Sequence, residues 1–162
     1  MNGLIKTIDT IGYYGPEILF FSTIFILWNQ LPYVIAFVPA FYLNLKFNEV
    51  LKHTIREPRP KQTNLRFEYE PDPTGTHVWG MPSGHAQLTF FSISYLFFVT
   101  KSMQVLAFSA LLGFNTLFQR YKSNMHTGKQ LGVGAVIGTL AAYLTYAATK
   151  YWKTQQWPNI HF

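Results

Sequence analysis

Three polar clusters in this chain carry residue types that can act on a phosphate. "KHTIREPRP" holds Lys52 and Arg59 seven positions apart, "GMPSGHAQ" holds Ser83, Gly84 and His85 directly after Pro82, and "RYKSNMHTGKQ" holds Arg120, His126 six later and Gln130 four beyond that. Two guanidinium groups and an ammonium brought to one spot repel each other unless a multivalent anion sits between them. Phosphate is the anion that guanidinium grips bidentately. Backbone N–H groups of Ser83, Gly84 and their neighbours, at a helix start, add preorganised donors. Two histidines then supply a nucleophile and a proton donor for the leaving oxygen. No acidic cluster for a divalent cation is required, and a His77, His85, His126 metal site lacks ligand spacing.

The prolines shape these clusters locally. Pro58 and Pro60 push Glu57 and Arg59 out of the α region, so the helix carrying Lys52 stops near Ile55 and Arg59 faces back from an extended segment. Pro82 and Gly84 mark the start of a helix. His53, His77 and His161 match no catalytic position and read as loop or interfacial residues.

Long apolar segments must hold these clusters in place. Aromatics make up 18% of the 162 residues and charged residues only 12%, about half the share of a soluble domain. The charges are clustered: eleven of the twenty lie between Lys46 and Asp72, while residues 73–100, 102–119 and 130–149 hold no Asp, Glu, Lys or Arg. Five apolar segments follow, at Ile11 to Trp28, Leu31 to Leu45 with an amphipathic extension to Ile55, Ala86 to Thr100, Met103 to Phe118, and Leu131 to Trp152. Several are shorter than the ~20 residues that span a bilayer comfortably.

The expected fold is all-α, a single membrane-embedded domain over 1–162 built as an integral membrane bundle of about five transmembrane helices. Gly134 and Gly138 form a small-xxx-small pair that lets another helix come close. Pro58 to Met81 reads as one long irregular loop, with a solvated acidic face at Glu68, Glu70 and Asp72. Tyr13, Tyr14, Trp28, Trp79, Tyr151 and Trp152 read as interface anchors. Glu49, three residues before Lys52, reads as its partner, and Glu17 as a charge needing one.

Five spans put all three clusters on one side, with ten of the thirteen Lys and Arg, which a positive-inside reading makes cytoplasmic. The net charge of +6 is not gathered into a basic run among aromatics, so it points to anionic lipid or a phosphorylated substrate and away from nucleic acid. The chain has no cysteine, which excludes disulfides and thiolate metal sites. "MNGLIKTIDT" lacks the layout of a cleaved signal peptide. Nothing in the sequence sets an oligomeric state.

The order K-x6-R-P, P-S-G-H, R-x5-H resembles the type 2 phosphatidic acid phosphatase (PAP2) superfamily, whose site is shared with vanadium haloperoxidases and bacterial acid phosphatases. The match covers residues 52 to 130. The resemblance implies that Lys52, Arg59 and Arg120 hold the phosphate and that Ser83 and Gly84 donate hydrogen bonds to it. It also implies that His126 attacks phosphorus to form a phosphohistidine and that His85 protonates the leaving group, with no metal and no other cofactor. Two positions depart from the family pattern. Gln119 stands where Ser is usual before the arginine, and Gln130 stands where an Asp is expected after the nucleophile. Gln130 lies one helical turn beyond His126, so its carbonyl is placed to accept from the imidazole Nδ1–H. In serine proteases the analogous loss of a carboxylate costs about 10⁴ in rate.

"EPRP", "GMPSGHAQ" and "HTGKQLGVGAVIG" together look like the dolichyl diphosphatase branch. That branch implies a polyprenyl diphosphate substrate in the bilayer, hydrolysed on the luminal face of the endoplasmic reticulum membrane in a eukaryote, against the positive-inside reading. A phosphatidate or diacylglycerol pyrophosphate phosphatase is the alternative within the class. A catalytically impaired phospholipid-binding scaffold, motivated by Gln130, is the alternative outside it.

Overall fold

The computed structural model describes residues 3–60 and 78–156. Glu68, Glu70, Asp72, His77, His161 and most of the expected loop lie outside the described residues. The described residues form six helices: α1 (Gly3–Tyr13), α2 (Gly15–Ile26), α3 (Leu31–Ile55), α4 (Gly84–Thr100), α5 (Met103–Lys122) and α6 (Gly128–Gln156).

The all-α class is as expected, but the count of membrane spans is not. Among the described residues only α3 and α6 are long and apolar enough to cross a bilayer. The expected first span, Ile11 to Trp28, is interrupted at Tyr14: its first three residues close α1, and α2 adds only 12 residues. Pro16, in the first turn of α2, has no N–H to lose there and restarts the helix on a new course. At 17 residues, α4 extends only about 25 Å, short of the ~30 Å hydrocarbon layer. α5 has 20 residues but carries Gln104, Asn115, Gln119, Arg120 and Lys122. The orientation drawn from five alternating crossings loses its basis with them.

The centre of the bundle is α4, which packs against α2, α3, α5 and α6. Its closest neighbour is α6, and the reason lies in the small-xxx-small pair. A methyl at Gly138 would run into the Gln87 carbonyl, and one at Gly134 into the Ser83 carbonyl. The core between α3 and α4 is aromatic: Phe37 stacks on Phe91 with centroids 5.5 Å apart and lies 5.3 Å from Tyr95, whose hydroxyl donates to the Tyr33 carbonyl at 2.8 Å. Such ring pairs add about 0.5–1.5 kcal/mol each beyond area burial.

A second seam between α3 and α4 is polar. Asn44, Asn48 and Lys52 recur every fourth residue of α3 and are all buried. Gln87 of α4 donates to Asn44 Oδ1 at 2.7 Å and accepts from Asn48 Nδ2 at 2.7 Å. Asn48 Nδ2 also approaches the Pro82 carbonyl at 3.3 Å, so the ladder fixes the turn before α4 relative to Lys52. The outer surface is rich in exposed apolar side chains, such as Phe25 on α2, Phe108 and Phe114 on α5 and Leu144 on α6. Apolar exposure on this scale suits an apolar surrounding better than water.

Candidate active site

Lys52 lies in the last turn of α3, and the helix ends at Ile55 as its two following prolines require. Arg56 closes it in the left-handed region with φ 52° and donates its N–H to the Lys52 carbonyl at 3.0 Å. The chain then runs extended. Pro58 pairs antiparallel with Trp79, Gly80 N–H donates to the Glu57 carbonyl at 2.8 Å, and Arg59 N–H reaches the Val78 carbonyl at 3.4 Å. The first cluster is thus sewn to the leader of the second. Arg59 turns inward, its Nη1 3.8 Å from Met125 Sδ.

Ser83 caps α4, its Oγ accepting from Ala86 N–H at 3.4 Å. Its own N–H donates to the Gln130 carbonyl at 3.1 Å. The Ser83 amide expected to face phosphate is therefore occupied within the protein, and Ser83 is fully buried. Gly84 and His85, the next two residues, do face the open space of the site.

Arg120, in the last turn of α5, is buried, and its Nη2 contacts His85 Nε2. His126 follows in the turn before α6, where Asn124 takes a positive φ of 52° and Met125 N–H donates to the Arg120 carbonyl at 3.0 Å. His126 Nδ1 lies 3.0 Å from the Gly80 carbonyl. A carbonyl can only accept, so this contact assigns the proton to Nδ1 and leaves a lone pair on Nε2.

The Gly80 carbonyl is the partner at His126 Nδ1, and the Gln130 side chain expected there also bears on the ring. The Gln130 amide has further partners. Its Oε1 accepts from Thr127 N–H at 3.1 Å, while Nε2 donates to Glu57 Oε1 at 3.1 Å and to the Pro58 carbonyl at 2.9 Å. Glu57 also pairs with Lys129 at 3.0 Å. Gln130 is fully buried and clamps the first cluster to the third.

Burial lowers the His126 pKa from 6.5 to about 3, reinforced by Arg59, Lys52 and Arg120, and the nearby Gln130 amide opposes this only in part. Burial also holds His85 well below its ordinary value, with Arg120, His126, Lys52 and Arg59 adding to the effect. Hydrogen bonds from Lys129 and Gln130 hold the Glu57 carboxyl below its usual range. Both site histidines are consequently neutral at pH 7, among three cations.

These groups open onto one cavity of about 530 Å³. Lys52, Arg59, His85, Arg120 and His126 line it together with Phe20, Phe21, Phe41, Leu45 and Leu88. This mixed lining suits a ligand with an anionic head and an apolar tail. Glu17 and Glu49 also border the cavity. Glu49 binds Lys46 through both oxygens, at 3.0 and 3.1 Å, rather than Lys52 as its spacing suggested.

Residues 21–154 match the PAP2 superfamily. The chain belongs to this family. Among relatives of this PAP2 chain, dolichyldiphosphatase 1 of Rhinolophus ferrumequinum is 30% identical over 160 residues, covering 86% of this chain and 62% of the relative. Dolichyldiphosphatase of Saccharomyces cerevisiae is 31% identical over 139 residues, covering 78% and 56% respectively. Dolichyldiphosphatase 1 of Mus musculus is 28% identical over 163 residues, covering 86% and 62%. The chain thus spans about three fifths of the length of the curated relatives it matches. No solved structure matches it.

Two residues of this PAP2 site escaped the sequence reading. Asn48 lines the cavity one turn before Lys52, and its polarity at the i−4 position of a buried lysine was the available signal. Tyr13 lies before the PAP2 region and was assigned to the membrane interface, yet its ring covers the Arg120 guanidinium at 4.7 Å. No spacing in the sequence connects these two residues.

Proposed function

We propose that this chain is a membrane lipid phosphatase that hydrolyses a polyprenyl diphosphate of dolichyl type to the monophosphate and inorganic phosphate. The observation that carries this reading is the single cavity in which three cations and two histidines adjoin an aromatic and aliphatic wall. Membership of the PAP2 superfamily supports the phosphatase chemistry, and the names of the relatives support the diphosphate substrate.

In this reading Lys52, Arg59 and Arg120 hold the terminal phosphoryl group, with the Gly84 main chain beside it. The Nε2 lone pair of His126 attacks phosphorus, and the bond to the bridging oxygen breaks. His85 passes its proton to that oxygen, releasing the lipid monophosphate. Neutral His85 then takes a proton from water, whose oxygen attacks the phosphohistidine and frees phosphate and His126. Burial and the surrounding cations keep His85 neutral in the free protein; a bound diphosphate offsets the cations, and the ring then acquires the proton it must donate. The charge on phosphorus is met by side chains, and the proposed steps call on no metal.

The proposed setting is a membrane crossed by α3 and α6, the endoplasmic reticulum membrane in a eukaryote, with the lipid tail along Phe20, Phe41, Leu45 and Leu88. One observation favours the scaffold alternative, namely that the acceptor at His126 Nδ1 is a neutral carbonyl, which stabilises imidazolium less than a carboxylate does. Phosphate release separates the two readings. Purified chain in detergent with excess EDTA is expected to release phosphate from an isoprenoid diphosphate and to be inhibited by vanadate. Release no greater than that of His126→Ala would sink the enzyme reading.

A further inference from the structure

The "GYYG" stretch, Gly12 to Gly15, is not used by the proposed chemistry, yet it is built against the site. Gly12 and Gly15 are buried where α1 and α2 meet α5. A Cβ on Gly12 would stand 2.9 Å from the Asn115 carbonyl, and one on Gly15 would overlap the Thr116 side chain. Asn115 Nδ2 donates to the Ile8 carbonyl at 3.0 Å, which ties α1 to α5 a second time. Both glycines therefore permit a close approach, and the residue carried between them is Tyr13.

Three contacts define where Tyr13 goes. Its ring lies 4.7 Å from the Arg120 guanidinium carbon, within cation–π range. Its centroid is 5.8 Å from that of His85, and Tyr14 buttresses it edge-on at 4.9 Å. It lines the same cavity as the cations. A guanidinium binds phosphate through a planar fork, so the side chain that sets its plane sets its grip. Arg120 has an aromatic face on one side and the His85 ring at its tip, which leaves its fork little freedom.

We propose that Tyr13 is a positioning residue that holds the Arg120 fork in the plane needed to bind the tetrahedral oxyanion, through a segment that precedes the family-matched region. The assignment of Arg120 to phosphate rests on the phosphatase reading, so the test measures ligand binding separately from turnover. Vanadate binding to the full chain in detergent is titrated calorimetrically. Tyr13→Phe is expected to bind as the wild type does, because the ring face is kept. Tyr13→Leu is expected to bind roughly tenfold more weakly, the size of a desolvated cation–π contact.

A variant that merely loosens α1 would mimic that loss, so fluorinated phenylalanines are placed at position 13 as well. They keep the ring's shape and drain its negative face, and vanadate affinity is expected to fall stepwise with each fluorine. Wild-type affinity across the fluorination series would overturn the proposal, as would wild-type affinity in Tyr13→Leu. If the stepwise fall is seen but the wild type releases no phosphate from any lipid phosphate, the positioning role stands and the phosphatase reading fails.

Discussion

His126 Nδ1 and the main-chain carbonyl of Gly80 lie 3.0 Å apart, and this contact takes the place of the carboxylate that the family pattern puts one turn beyond the nucleophile. The Gly80 carbonyl is itself held in place, because its N–H donates to the Glu57 carbonyl at 2.8 Å and its Cα packs against the Gln130 amide. Gln130 therefore also acts on His126 indirectly, by fixing the Glu57–Pro58 segment that pairs with the residues presenting the acceptor.

That geometry makes a counterintuitive prediction about Gln130→Asp, which restores the family's residue. Aspartate is shorter and has no N–H to give Glu57 or the Pro58 carbonyl, and it brings a second carboxylate beside Glu57. Turnover in Gln130→Asp is expected to fall by about ten- to a hundredfold, as outer-shell losses commonly do, with Gln130→Ala in the same range. Phosphate release at matched protein yield checks this, and an Asp variant faster than wild type would show that Gln130 had simply replaced the carboxylate.

The neutral histidines link pH to stability. The folded pKa of His126 is about 3 against an ordinary 6.5, so between those values the unfolded chain holds a proton that the folded chain lacks. The contribution of neutral His126 is fully present above pH 6.5 and is lost as pH falls toward 3, and His85 acts in the same direction. The thermal midpoint of the unliganded protein in detergent is expected to drop from pH 7 to pH 4, and to drop less in His126→Asn. Equal slopes in the two proteins would refute the assignment.

Much of this site could be read in the sequence, because proline and glycine act locally. Pro58 and Pro60 ended α3 at Ile55, Pro82 and Gly84 opened α4, and Gly138 marked the α4 and α6 seam. Lys52, Arg59, Gly84, His85, Arg120 and His126 come to one cavity, although the first and last of them are more than seventy residues apart in the chain. What could not be read depended on tertiary contact. Apolar runs mark where a chain avoids water, but the first run breaks at Tyr14 just before Pro16, and polar residues of α4 such as Gln87 and Ser94 find partners inside the bundle. The Nδ1 acceptor is a main-chain carbonyl, which every residue carries and no side-chain pattern reveals. Tyr13 reaches Arg120 across more than a hundred residues of chain.

Gln87 tests the polar ladder. It joins Asn44 and Asn48 and is fully buried, so Gln87→Leu keeps the volume and strips a hydrogen bond from each of two buried amides. Leaving such groups unpaired costs about 1–3 kcal/mol each. The Asn48 contact to the Pro82 carbonyl adds a functional consequence, since an Asn48 no longer held by Gln87 fixes the turn before Gly84 and His85 less firmly. A lower thermal midpoint together with weaker vanadate binding is the expected pair of results. A fall in stability with unchanged vanadate affinity would mean that the ladder serves packing alone.

The apolar part of the cavity can be probed without touching the chemistry. Leu45 is half-buried on α3 and borders the cavity about two helical turns from Lys52, on the stretch assigned to the lipid tail. Leu45→Trp places a larger ring in that path and leaves the cations and histidines in place. Hydrolysis of a long polyprenyl diphosphate is expected to show a KM raised by about tenfold or more, since removing the burial of even a few methylenes at roughly 0.8 kcal/mol each reaches that size. A short water-soluble diphosphate never reaches Leu45, and its kcat/KM is expected to stay within about twofold of wild type, the scatter of surface changes. Equal losses on the two substrates would show that the tail lies elsewhere, because a blocked slot discriminates by chain length while a distorted head site does not.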